Sequence, residues 1–307
     1  MQRKLSVLGL SLLLVLTLNA QSLAEREVPA GSGYVIVHEE GEIDWSKGTL
    51  SATGIGLMPR DESDRARAYL KARGYARLDA LANLLMLVNR VQVDARYTGA
   101  DYVAQSEEIR AAVNGFLRGA MITDERKVYI EGQEAVQVTV TIPMHGQRGL
   151  SSVLLGNRAA PTTPVAPPEP ALPRLEVVRP NVPISESAPT VEGNYTGLII
   201  DARGLGVQPA MAPRILKADG TVLYGTGKFD PELVLERGLA VYYKDLNAAR
   251  ADARAGSNPL VIRAIGVYRR AVATTDVVIS DADAAKLLAE NQRTKFLDKL
   301  QVVFVVD

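Results

Sequence analysis

Residues 161–189 read PTTPVAPPEPALPRLEVVRPNVPISESAP, and nine of the sixteen prolines of the chain stand there, at 161, 164, 167, 168, 170, 173, 180, 183 and 189. Proline fixes φ and has no N–H to give to a helix or a ladder. A stretch this rich in it favours extended polyproline II and behaves as a semi-rigid spacer. This reading decides the layout: a Pro-rich linker over 151–191 separates two globular halves, 34–150 and 192–307, each expected to fold by itself.

Upstream of the linker, Thr49 to Gly56 alternates as a strand, and Pro59, Asp61, Glu62 and Ser63 supply the signals that start a helix. That helix is expected over about 61–89. Tyr69, Ala72, Ala76, Ala80, Leu84 and Val88 form its buried stripe, and Arg65, Arg67, Lys71, Arg73 and Arg77 its wet face. The alanines let it approach a sheet closely. A strand at Val91–Ala95 and a helix over Ser106–Leu117 follow, then a hairpin of Ile122–Ile130 and Glu134–Ile142 turning at Glu131-Gly132-Gln133. The order implies helices on one face of a mostly antiparallel sheet.

Downstream, Tyr195–Ala202 is apolar enough for a sheet interior, and Asp219-Gly220 marks a hairpin between Arg214–Ala218 and Thr221–Tyr224. Strands at Leu260–Tyr268 and Val272–Ile279 precede a helix capped by Ser280 or Asp281, and Gln301–Val306 is a final strand. Each half is thus α+β, a small sheet-plus-helix domain, with α/β character at the end of the second. Pro143 makes Val136–Ile142 the expected edge strand of the first half, and Gln301–Val306 is expected at a sheet centre.

Composition excludes several chemistries. Lys plus Arg and Asp plus Glu each number 35, so no cationic excess exists to hold a nucleic acid. The chain has no cysteine, which removes disulfides, thiolate catalysis, Cys-bound metals and a lipid anchor through a Cys thiol. Arg3 and Lys4, the apolar run Leu5–Leu18 and Ser22-Leu23-Ala24 form a signal peptide over 1–24, with cleavage expected before Glu25. The apolar run is short for a bilayer that needs about 20 residues, so no transmembrane span is expected after cleavage. The mature chain, with 33 basic and 35 acidic residues, is expected in the periplasm or at the outer membrane.

Catalytic motifs fail on inspection. Gly204-Leu205-Gly206 follows a strand as a dinucleotide loop would, but the third glycine position is Pro209, and Pro213 interrupts the following helix. Gly227-Lys228 lacks the earlier glycine, since position 222 is Val222, and is followed by Phe229 where a phosphate loop has Ser or Thr. No Gly-x-Ser-x-Gly elbow is present. His38 with Glu39, Glu40, Glu42 and Asp44 reads as a solvated acidic segment near the N-terminus, and His145 as an exposed loop residue. No catalytic residue, cofactor or metal ligand is assigned.

The run Ser51–Gly56, the helix with Ala66, Ala72, Ala76, Asp79, Ala80 and Leu84, and the strand Val91–Val93 carry a resemblance, together with Ser106–Ile109, Gly115, Gly119-Ala120 and Val136–Val140. Over about 45–145 the chain resembles a family of small bacterial envelope lipoproteins that includes flagellar basal-disk proteins. Their fold is similar to the N-terminal domain of a periplasmic flagellar-motor ring protein. Members usually carry a lipidated Cys, which this chain lacks. The segment Tyr195–Gly204 with Pro213–Leu216 resembles an uncharacterised domain that accompanies such proteins.

Two function classes follow. The first is a non-enzymatic envelope protein that associates with itself or with envelope partners in a periplasmic or outer-membrane structure, the flagellum among those the resemblance implies. The second is a periplasmic ligand-binding module or hydrolase. Its site would be the loop after the 195–202 strand, with Asp201, Arg203, Gly204, Gly206 and Gln208 as ligand or partner contacts.

Overall fold

A computed structural model describes residues 33–105, 107–155, 175–176, 193–225, 229–269 and 273–307. The expected signal peptide, and the expected linker apart from residues 151–155 and 175–176, lie outside the described residues. The architecture is α+β in both halves.

The first half contains β1 (Val35–His38), β2 (Gly41–Asp44), β3 (Thr49–Leu57), α1 (Arg65–Arg90), α2 (Gly99–Gln105), α3 (Glu107–Arg118), β4 (Met121–Ile130), β5 (Gln133–Pro143) and α4 (Leu150–Leu155). Its strands form one antiparallel sheet in the order β1-β2-β3-β5-β4. The helix α1 starts where Asp64 accepts hydrogen bonds from the Ala66 and Arg67 amides. It buries Ala68, Ala72, Ala76, Ala80, Leu84, Leu87 and Val88, largely the expected stripe. Opposite lie Gly54 and Gly56. A Cβ on Gly54 would stand 2.2 Å from the Ala80 nitrogen, and one on Gly56 1.9 Å from the Ala72 oxygen. Alanine facing glycine brings the two backbones into contact.

The partner strand β2 covers only Thr49–Ala52 of β3. Beyond it the helix finishes the edge: Asp79 accepts the Ile55 amide at 2.9 Å, and Asn83 donates to the Thr53 carbonyl at 2.8 Å. The two-residue turn Glu131-Gly132, with φ of 48° and 77°, joins β4 to β5 as the hairpin signal requires.

Three expectations are corrected here. Strand β5 is interior and β4 is the edge, with Val138 and Val140 fully buried against α1. Pro143 is only the last residue of β5, so its missing N–H does not expose the strand. The acidic segment at 38–44 is the β1–β2 hairpin: Asp44 is buried and accepts the Ser46 and Lys47 amides, and Glu40 pairs with Arg90 at 2.7 Å. At 91–95 the backbone makes a turn in place of a strand, because the Asp94 carboxylate accepts the Arg96 and Tyr97 amides.

The second half contains β6 (Leu175–Glu176), β7 (Gly197–Asp201), β8 (Ile215–Lys217), β9 (Val222–Tyr224), α5 (Pro231–Arg237), β10 (Val241–Tyr243), α6 (Leu246–Ala251), a 3₁₀ turn (Ala253–Ala255), β11 (Pro259–Arg263), β12 (Gly266–Tyr268), β13 (Val277–Ile279), α7 (Asp281–Thr294) and β14 (Val302–Val305). Four strands form a parallel sheet, β10-β14-β7-β11, and the others a mixed sheet, β6-β12-β13-β8-β9. Each residue of β7 and β14 is buried, as near-continuous apolar strands in a parallel sheet require. Ile199, Val303 and Val305 face Ala249 and Ala255, while Leu198, Ile200, Val302 and Phe304 face the main core.

The main core runs through both halves without a break. The Trp45 ring stands edge-on to Tyr242 at 5.6 Å. The Tyr34 amide donates to the Tyr242 carbonyl, Gly146 to Leu235, Met211 to Gln92 and Ala212 to Val93, at 2.7–3.1 Å. The two halves on either side of the expected linker therefore share a core and backbone hydrogen bonds.

Candidate functional site

In an open parallel sheet, ligands meet the carboxyl ends of the strands. Here β7 ends in Asp201 and β11 in Arg263, which stand side by side in register. Asp201 is 8% exposed. Arg203 folds back to give it a fork, Nε at 2.9 Å and Nη2 at 2.8 Å, and adds its own amide at 3.2 Å. Arg263 gives Asp201 a further contact through Nη1 at 2.7 Å, and its Nη2 donates to the Arg203 carbonyl at 2.6 Å. Burial by itself would raise the Asp201 carboxyl. The hydrogen bonds from Arg203 and Arg263 outweigh it and hold the group below its ordinary value.

The rest of the loop is equally committed. Gly204, at φ +79°, donates its amide to both oxygens of Asp307 at 2.8 and 2.9 Å. Gly206 is exposed, and although a Cβ there would touch nothing, its φ of +63° favours glycine. The Gln208 side chain is exposed while its amide donates to the Thr274 carbonyl at 2.7 Å. Leu205, Val207 and Met211 turn inward, and the Tyr242 hydroxyl both accepts from the Ala210 amide and donates to its carbonyl. The structure thus gathers Asp201, Arg203 and Gly204 at one end of the sheet and leaves Gly206 and Gln208 on the surface of the same loop.

A carboxylate shared by two guanidiniums stays ionised and is a poor proton acceptor. The cluster holds the loop in place and offers no general base. Among the described residues no group of three or more His, Asp or Glu side chains is arranged to hold a metal ion. Sequence reasoning missed Arg263 and Asp307. The signal available for Arg263 was its place as the first charge after the apolar run Leu260–Ile262.

A second buried ionic centre lies where the halves meet. Arg254 is 7% exposed and forms no ion pair among the described residues. Its Nε donates to the Leu300 carbonyl at 2.8 Å, Nη1 to Arg237 at 2.6 Å and Nη2 to Gly238. Burial lowers its pKa. Beside it, the His145 ring fills the space at Gly238, where a Cβ would come within 2.3 Å of the imidazole. His145 is therefore half-buried, in place of the exposed loop residue expected, and its Nδ1 meets no hydrogen-bond partner among the described residues. Burial, then the Arg254 charge, bring its pKa down from 6.5 to about 4.

A pH dependence follows. Folded His145 binds its proton less tightly than the unfolded chain, so its contribution to stability is intact above pH 6.5 and is lost as the pH falls towards about 4. His38 is lowered too, by burial and by Arg90, and acts in the same direction. Asp201 loses its contribution only below the ordinary carboxylate value of 3.8. Thermal unfolding followed from pH 7 to pH 4 is expected to show a falling midpoint, and His145→Gln to flatten part of that fall. An unchanged profile in His145→Gln would show that the ring is not the group that titrates.

Residues 197–307 match the family model for the second domain of Treponema pallidum Tp0624. The matched region begins at the first residue of β7 and contains the whole parallel sheet. No curated protein matches the chain.

Proposed function

We propose that this chain is an exported, non-enzymatic protein that works by association, with itself or with envelope proteins, in a periplasmic or outer-membrane structure. One observation carries the reading. Among the described residues, strand β4, ten residues long, is hydrogen-bonded on one side only, and Met121 and Tyr129 near its two ends are 69% and 71% exposed. A strand with a free row of N–H and C=O groups is a template for another chain. The expected signal peptide and the resemblance of residues 45–145 to envelope lipoproteins, flagellar basal-disk proteins among them, support an envelope location. The rival reading, a ligand-binding or hydrolytic loop at 201–211, is weakened by the internal neutralisation of Asp201.

Light scattering of the mature chain over a rising concentration series is expected to report a dimer or larger species. A strictly monomeric protein that turned over a substrate in dependence on Asp201 or Arg203 would overturn the reading.

A further inference from the structure

The middle of β4 reads Asp124-Glu125-Arg126-Lys127, acid-acid-base-base. Of these, Asp124 and Arg126 lie two residues apart on one face. Charges on an edge ordinarily keep other strands away, but an acid and a base at this spacing complement each other when two copies lie antiparallel about the residue between them. We propose that β4 is a self-pairing edge, and that the partner it fits is β4 of a second copy of this chain, related by a two-fold axis normal to the sheet. The inference rests on the association reading above and names its partner and its seam.

The geometry restricts the register. A two-fold axis normal to the sheet keeps the α1 side of both copies on one side, so only residues that share a face can stand opposite each other. Asp124 and Arg126 share the face away from α1, opposite Thr139 and Gln137 of β5. Glu125 and Lys127 share the α1 face, where Glu125 accepts from Tyr69 at 2.5 Å and Arg73 at 2.8 Å and the Lys127 ammonium lies over the Tyr69 ring. Centred on Glu125, the antiparallel pairing sets Asp124 of each copy against Arg126 of the other, giving two ion pairs across the seam. The two Glu125 carboxylates meet at the centre, each already held by its own Arg73.

Asp124 and Arg126 are available for this. Within one chain they stand 3.8 Å apart at 53% and 61% side-chain exposure, a loose surface pair. Arg126 also reaches Gln137 at 3.0 Å, which orients it along the outer face. The bulge between Ile122 and Asp124 shifts the ends of the seam by one residue, so Met121 of one copy falls beside the Tyr129–Ile130 end of the other. Both ends then bury apolar side chains that the single chain leaves in water. A strand without a base opposite Asp124 and an acid opposite Arg126 forgoes both ion pairs, which favours a second copy over other partners.

The test uses the mature chain and four samples: Asp124→Arg, Arg126→Asp, the equimolar mixture of these two, and the double variant that exchanges both. Both side chains are exposed, so unfolding midpoints are expected to stay at that of the parent. Each single variant sets like charges across the seam and is expected to weaken the dimer by about tenfold or more. The mixture is expected to recover it as a heterodimer, visible when one chain carries a mass tag, and the double variant as a homodimer. Single variants that dimerise like the parent would place association elsewhere, overturning the seam and leaving the association reading intact. Single variants that lose the dimer without rescue in the mixture would overturn the pairing. A parent chain monomeric at every concentration would overturn both.

Discussion

Ala76→Asp is expected to destabilise the protein by about 3–5 kcal/mol, the scale of an uncompensated buried charge. Ala76 is fully buried, and its carbonyl and amide already lie against the Cβ positions that Gly54 and Gly56 leave empty. A carboxylate there has neither water nor a cation to meet, and no room to turn away, because the opposing surface is backbone. Arg67→Asp, about two and a half turns earlier on the wet face, is expected to change stability by less than about 1 kcal/mol. Urea unfolding of the two variants checks the pair. Equal losses would mean that α1 presents another face to the sheet.

Arg254→Leu is expected to cost more than about 3 kcal/mol, because a leucine keeps much of the volume but withdraws every donor from the carbonyls of Leu300, Arg237 and Gly238. Each buried acceptor left without a partner costs about 1–3 kcal/mol, and the three share one site, so the sum is an upper bound. Arg254→Lys keeps the charge but not the fork and is expected to fall between the two. Thermal and urea unfolding read the series. An Arg254→Leu chain as stable as its parent would show that water reaches those carbonyls.

Elements governed by local chemistry were legible in the sequence. The α1 stripe, the Glu131-Gly132 turn, the Asp219-Gly220 hairpin and the Ser280 cap each depend on residues within a few positions of one another. The central place of β14 was legible too, since a run such as Val302–Val305 tolerates water on neither face. What was hidden depends on distant partners. The edge of the first sheet is decided by which strand β3 chooses, and no residue of β5 announces that β4 will cover it. Residues 229–255, with α5, β10 and α6, offered short polar-rich segments whose structure follows from docking onto β14 and the first half. In the candidate site, Asp201, Arg203 and Gly204 were found from the strand-to-loop transition. Arg263 and Asp307 stay invisible until β11 and β14 flank β7.

The order β10-β14-β7-β11 also fixes a sequence of events. Of these four strands, the one that fills the gap between β10 and β7 is the last to be synthesised, about a hundred residues after its neighbour β7. Until Val302–Val305 has emerged, Leu198, Ile199 and Ile200 flank an open slot, and the sheet cannot close from its other members. Contacts so far apart along the chain form slowly, and a chain delivered from its N-terminus spends that interval with β7, buried throughout in the finished fold, uncovered along one edge. Maturation of this half is therefore timed by the arrival of four valine-rich residues, and the interval before it is when the chain most needs shielding from its neighbours.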